Sequence, residues 1–130
     1  MMKVLLGLRR NIRRKRIFEN ELDKLRAMLD EAQIPYDSIQ EEWRQDIKDT
    51  FPSYYEGNNR FMKNQVIYGA VPDLHDWKLD GICQMGSYGA NEGLIETYGS
   101  LGTDAEGDPL VLRAEDVFQI IKEDWEKTHN

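Results

Sequence analysis

The sequence predicts an α+β fold: a small antiparallel β-sheet with three to four helices in a single domain, led by a basic N-terminal helical arm. Three observations predict it. Apolar residues recur every three or four positions near both ends of the chain, at Phe18, Leu22, Leu25, Leu29 and Ala32, and again at Val117, Phe118, Ile121 and Trp125. Two central runs, NQVIYGA at 64–70 and WKLDGICQM at 77–85, carry strand signatures instead. A chain of 130 residues is long enough for one core but not for two.

Each element has its own local reason. The first helix runs from about Arg16 to Gln33, with Glu21–Lys24 and Arg26–Asp30 as charge pairs at helical spacing. Pro35 stops it by disfavouring a helical Ile34. The arm before it keeps the same spacing through Leu5, Leu8 and Ile12, against Gly7 and the mutual repulsion within RRNIRRKR. Residues 36–50 read two ways. Ser38 and Glu41 match a capping box, and Ile39, Trp43, Ile47 and Phe51 recur every four residues, so periodicity favours a helix closing at Pro52. A strand starting at Ile34 is the second reading. FPSYYEGNNR is turn-rich, and VPDLHD joins the two strands as a hairpin, the second strand alternating Trp77, Leu79, Gly81, Cys83 and Met85 on one side. A helix is expected from about Asn91 to Leu101, with Leu94, Ile95, Tyr98 and Leu101 on one face. GTDAEGDP reads as a loop and Leu110–Leu112 as an edge strand. The last helix spans about Ala114 to Lys127, with Glu115 and Asp116 in its first turn, where the helix dipole favours negative charge.

Composition bounds the classes of function. The only cysteine is Cys83, which excludes an intrachain disulfide and a C-x-x-C site and fits a reducing cytoplasm. The apolar run Val4–Leu8 is too short for a signal-peptide core, and no segment approaches the roughly 20 apolar residues of a membrane helix. Charge is divided sharply. Residues 1–16 carry seven cations and no acid, and residues 17–130 hold the remaining ten basic against 24 acidic residues, a net of −14. The expected organisation is a basic arm, 1–16, on an acidic α+β domain, 17–130. Such asymmetry speaks to partners and association rates.

The stretch GICQMGSYGANEGLIETYG looks at first like a phosphate cradle, a strand ending in a glycine-spaced turn that re-enters as a helix. It matches neither G-x-G-x-x-G nor the P-loop pattern, and it lacks the lysine that would reach phosphates. Glu92 would stand where an anion must approach. The expected reading is a structural turn at Gly86, Gly89 and Gly93, with Gly86 or Gly89 at positive φ. His75 between Asp73 and Asp76 lacks the converging ligands a metal needs, so no metal and no cofactor is expected. Cys83 reads as a small buried hydrophobe, and Ser87 lies outside a G-x-S-x-G elbow. No catalytic constellation emerges, and the expectation is a protein that is not an enzyme. Tyr54, Tyr55, Phe61 and Tyr68 near Arg60 and Lys63 would suit stacking on single-stranded nucleic acid, but they suit core packing better.

The segments RKRIFENELDKLRAML, IPY, DGICQMGSYGANEGLIETYGSL and LRAEDVFQIIKEDWE resemble, in that order, a group of small uncharacterised proteins encoded by phages and prophages of gut Firmicutes. The likeness covers most of the domain. This chain departs from the pattern in a basic extension before Ile17, in a different middle from Arg44 to Met62, and in Arg113 where a threonine would cap the last helix, which weakens that helix start. The group has no assigned activity, so no catalytic residue carries over. What the resemblance implies is a setting: small acidic phage accessory proteins that bind and disable host machinery, anti-CRISPR proteins among them.

The leading expectation is therefore a non-enzymatic inhibitor in the host cytoplasm that binds a host protein, a CRISPR effector or another nucleic-acid-handling defence nuclease. Contacts are expected from Arg9, Arg10, Arg13, Arg14 and Arg16 in the arm and from Glu41, Glu42, Asp46 and Asp49 on the body. An acidic surface can occupy a partner's basic cleft at an electrostatically accelerated rate. The second reading is direct nucleic-acid binding through residues 1–16 and the 54–63 aromatics, with salt-sensitive affinity. A small enzyme using His75 or Cys83 is the third.

Overall fold

A computed structural model describes residues 20–50, 61–69 and 77–129. Its elements are α1 (Glu21–Glu31), β1 (Asp37–Glu42), α2 (Gln45–Thr50), β2 (Phe61–Tyr68), β3 (Leu79–Ile82), a 3-10 turn (Ala90–Glu92), β4 (Ile95–Tyr98), β5 (Leu110–Leu112) and α3 (Ala114–Thr128). The five strands form one antiparallel sheet in chain order, each pairing with the next. The architecture is α+β, as expected. The basic arm lies outside the described residues, as do the 51–60 turn and the 70–76 connection.

Alternation along the strands gives the sheet two unlike faces. In register across the sheet, Ser38, Val66, Gly81, Thr97 and Leu110 share one face, and Tyr68 and Leu79 lie on it one step along. The helices cover this face. Leu22, Leu25 and Leu29 of α1 and Ala114, Val117 and Ile121 of α3 join Val66, Tyr68, Leu79, Cys83 and Ile95 in one buried cluster. Gly81 keeps that contact close, since a Cβ there would stand 3.0 Å from Ile95 Cγ2 and 3.6 Å from Leu22 Cδ2.

The helix ends explain how α1 and α3 lie together. Asn20 caps α1, its Oδ1 accepting from the Asp23 N–H at 3.0 Å. At the other end Gln33 takes φ 58°, and the Ile34 N–H reaches back to the Leu29 carbonyl at 3.0 Å. Ile34 is thereby turned inward, and Pro35 follows. The start of α3 lacks a side-chain cap from Arg113, as expected from the sequence. Its cap comes from the other helix: the buried Glu21 carboxylate accepts from the Ala114 N–H at 3.0 Å and pairs with Lys24 at 2.8 Å. Further along α3, Asp124 accepts from the Tyr68 hydroxyl at 2.7 Å and from Lys78 Nζ at 2.8 Å, fastening the helix to the sheet.

Three expectations are corrected. Residues 37–42 form strand β1, the second reading, and only 45–50 are helical. Ser38 caps nothing; its Oγ accepts from Arg26 Nε at 2.8 Å, and the backbone around it pairs with β2. The helix expected over 91–101 is a single 3-10 turn followed by strand β4. Gly89 and Gly93 flank that turn at φ 78° and 76°, which ends any helix after one turn. Beyond them Ile95 and Thr97 go to the core while Glu96 and Tyr98 go to the other face, period two rather than 3.6. Finally, Arg26 pairs with Asp23 at 3.3 Å, and Asp30 instead accepts from the Tyr36 hydroxyl at 2.8 Å.

Burial by itself would raise the Glu21 carboxyl, but the Lys24 hydrogen bond, the Ala114 N–H and the charges of Lys24 and Arg113 outweigh it and hold it below the ordinary glutamate value. The folded value lies below the unfolded one, so the stabilisation is present above the unfolded pKa and is lost as pH falls through the folded pKa. Glu21→Ala leaves a buried N–H without an acceptor and is expected to cost about 1–3 kcal/mol at neutral pH. Urea denaturation of wild type and variant at neutral and acidic pH checks both points, with the two curves converging on the acid side.

Candidate interaction surface

On the face away from α1 and α3, two rows of side chains cross the sheet. One reads Ile39, Gln65, Ile82, Glu96 and Val111; the other reads Asp37, Ile67, Asp80 and Tyr98. Glu41 and Lys63 pair beside them. The two long helices, α1 and α3, both pack on the opposite side. The exposed large hydrophobics among those residues are Ile39, Tyr88, Tyr98 and Val111, and three of them belong to these rows. Tyr88, 75% exposed, adjoins the face because its N–H donates to Glu96 Oε1 at 3.3 Å. Scattered single apolar residues on a surface are ordinary; their collection on one sheet face is not.

The charged groups on this face are four carboxylates against Lys63, with the neutral Gln65 among them. Asp37 and Glu41 are exposed, whereas Asp80 and Glu96 are buried among their neighbours. Gln65 Nε2 donates to both oxygens of Asp80, at 2.8 and 2.9 Å. Burial pushes the Asp80 carboxyl above the usual carboxylate range, and the Gln65 amide only partly offsets it. The Tyr98 hydroxyl is raised by burial, by its hydrogen bond to Glu96 and by the charges of Glu96 and Asp80. Tyr88 and Tyr98 with the exposed Asp37 and Glu41 can offer aromatic contact area and negative potential together, the combination that suits a cationic protein surface.

The structure separates the residues expected to bind a partner. Arg9, Arg10, Arg13, Arg14 and Arg16 lie outside the described residues. Glu41 and Glu42 are exposed at the end of β1, and Asp46 and Asp49 are exposed on α2 just beyond it. Asp46 pairs with Arg44 at 3.3 Å, and Asp49 accepts from Gln45 Nε2 at 2.9 Å. These four acids continue the charge of the open face past the β1 end of the sheet. Asp37, Asp80, Glu96, Tyr88, Tyr98 and Val111 were missed by sequence reasoning. The available signal was an acid between core residues in a strand, as in Leu79-Asp80-Gly81, which must point away from the core.

Gly86, Gly89 and Gly93 all sit at positive φ, in the structural turn expected of them, although the turn leads into a strand. Six of its amides are already used. Ser87, Ala90, Glu92, Gly93 and Leu94 donate to carbonyls within the turn, and Tyr88 donates to Glu96. Ser87 Oγ itself bridges the N–H and C=O of Gln84. Those amides have no donors left to aim at an anion.

Cys83 is fully buried, and burial together with the Asp23 charge pushes its thiol up to about 12, with Arg26 opposing. His129 stacks on Trp125 with ring centroids 3.4 Å apart. His75, Asp73, Asp76, Tyr54, Tyr55 and Arg60 lie outside the described residues. Phe61 and Tyr68 are buried, in line with the packing reading, while Lys63 is exposed. Among the described residues no three His, Cys, Asp or Glu side chains converge as metal ligands, and no helix is long and apolar enough to cross a membrane.

Two glycine substitutions separate backbone strain from packing in the turn. A Cβ at Gly86 meets nothing within 4 Å, so Gly86→Ala is expected to cost only the left-handed backbone penalty, about 1–2 kcal/mol. A Cβ at Gly89 would stand 2.7 Å from Val111 Cγ1 and 2.9 Å from Leu94 Cβ, so Gly89→Ala is expected to cost more and to shift Val111. Thermal melts rank the two variants. No protein-family model, curated protein or solved structure matches the chain.

Proposed function

We propose that this is a non-enzymatic accessory protein of a phage or mobile element that binds a host protein and inhibits it, in the manner of an anti-CRISPR protein acting on a nucleic-acid-handling nuclease in the bacterial cytoplasm. The observation that carries the proposal is the sheet face opposite α1 and α3, where among the described residues Tyr88, Tyr98, Val111 and Ile39 are exposed together with the carboxylates of Asp37 and Glu41, while Asp80 and Glu96 are buried between them. The occupant it fits is a cationic surface of the kind that holds nucleic acid. The exposed carboxylates of β1 stand in for phosphates, and the aromatics supply contact area at low conformational cost. The net −14 of residues 17–130 adds long-range attraction to the same partner and repels free nucleic acid.

A second reading rests on the seven cations of residues 1–16: direct binding of nucleic acid by that segment. Size-exclusion chromatography of the protein with a panel of CRISPR effectors, and separately with short DNA and RNA, distinguishes the two. An inhibitor is expected to co-elute with an effector, to survive removal of residues 1–16 in part, and to lose binding on Tyr98→Ala or Glu41→Lys by roughly tenfold or more, the scale of a modest hot spot. A salt-sensitive complex with nucleic acid alone, abolished by that removal, would replace the inhibitor reading with the second.

A further inference from the structure

We infer that the outer edge of β1 is a strand-addition site, which takes an extended cationic segment of the partner as a sixth strand. The inference rests on the reading of the protein as a binder of a basic partner and names the part of that partner it grips.

Among the described residues no strand pairs on the outer side of β1. β1 is the first strand of the sheet, all six of its residues are exposed, and β2 is its neighbour in the sheet. The direction of its free groups follows from the ladder. The Asn64 and Tyr68 carbonyls accept from Cys83 and Lys78, so even-numbered β2 residues turn their backbone groups toward β3. Gln65 and Ile67 therefore turn theirs toward β1 and are opposite Ile39 and Asp37. The N–H and C=O of Ser38 and Gln40, between and beside these, point outward. An unpaired row of this kind is a template for another strand. The opposite edge, β5, is only three residues long.

The strand is also held in place before any partner arrives. Arg26 reaches across from α1 to Ser38 Oγ at 2.8 Å, to the Ile39 carbonyl at 3.4 Å and to Asn64 Oδ1 at 2.7 Å. Gln40 Nε2 donates to Asp23 at 3.2 Å. The side chains of Ser38 and Gln40 are thus occupied while no described residue outside the sheet bonds their main-chain groups, and an incoming strand loses little freedom in ordering the edge.

Charge selects the occupant. Asp37 and Glu41 flank the free positions, and β1 carries no cation. A second copy of β1 alongside would set carboxylates opposite carboxylates, which disfavours self-pairing. An arginine- or lysine-bearing strand meets the opposite sign at each of those positions. Main-chain bonds would supply affinity and the acids would supply selection, the division of labour of strand addition.

The probe is an end-capped peptide of alternating arginine and valine, about ten residues long, enough for a strand of ordinary length. It is titrated into the full chain with amide hydrogen exchange as readout. The expected result is binding that slows exchange at Ser38 and Gln40, and that weakens by about tenfold or more with the central peptide amides N-methylated. A glutamate–valine peptide is expected not to bind, and Asp37→Asn with Glu41→Gln is expected to weaken the cationic peptide and reduce its salt dependence. Equal binding of the N-methylated peptide, or protection confined to the open face, would overturn strand addition in favour of simple charge attraction. No binding would also overturn it, and concentration-dependent self-association with Ser38 and Gln40 protected would assign the edge to a second copy. The peptide test needs no host protein, so its failure leaves the sheet-face reading standing, and failure to find an effector leaves the edge result standing.

Discussion

Much of the structure depends on where one guanidinium is placed. Arg26 lies in the middle of α1, and burial lowers its pKa while the neighbouring Asp23 charge opposes that shift. A buried arginine is tolerated only when its donors are spent, and here they are spent on Asp23, Ser38, Ile39, Asn64 and Gln65. The consequence is mechanical. α1 cannot slide along the sheet without breaking this fork, and β1 cannot slip its register against β2 without carrying Ser38 and the Ile39 carbonyl away from it. A one-residue slip would put Ile39 under the helix and Ser38 on the open face, so the arginine and the alternation enforce the same register.

Glu21 does for α3 what Arg26 does for β1. An N-terminal helical residue of one helix supplies the acceptor that the other helix lacks, across 93 positions of sequence. Together with Asn20, whose Oδ1 caps α1 from one residue earlier, it makes the start of α1 the meeting point of both helices and, through the Glu21 N–H bonded to the Gly93 carbonyl at 2.8 Å, of the glycine turn. The weak α3 start that Arg113 implies is thus a local deficit met by a distant residue.

What was legible in the sequence follows the same division between local and distant causes. The helices around Leu22–Leu29 and Val117–Ile121 could be read because each repeats its apolar residues at helical spacing for several turns. The strand at Leu110–Leu112 and the loop before it could be read from composition. Residues 38–42 and 91–101 were misread for one reason: Ile39, Trp43 and Ile47, like Leu94, Ile95, Tyr98 and Leu101, happen to fall at helical spacing, and of the first expected helix only 45–50 are helical among the described residues. In the first stretch Ile39 faces away from the core and Trp43 lies beyond the strand, so their spacing reflects no common face. In the second, the left-handed glycines at 89 and 93 had more authority than the period of the residues around them. Of the interaction surface, the exposed acids Glu41, Glu42, Asp46 and Asp49 were visible as charge, but the face they adjoin required knowing that 95–98 is a strand.

The open face is costly to keep for stability alone. Asp80 and Glu96 are carboxylates buried at 7% and 3% exposure on a sheet whose other side already forms the core, and burial raises the Asp80 carboxyl against its own ionisation. Apolar or amide side chains at these positions would avoid that penalty, since replacing buried charge by well-fitting neutral groups is commonly neutral or stabilising. The arrangement becomes economical once a cationic surface covers it, because partner charges then offset the desolvation that Gln65 and the surrounding side chains only partly relieve. The same logic extends to the rim, where Asp37 and Glu41 stand next to free main-chain groups that an incoming strand would satisfy. If the proposed function holds, face and edge ask for one kind of partner: cationic, with an extended segment alongside a flatter basic surface.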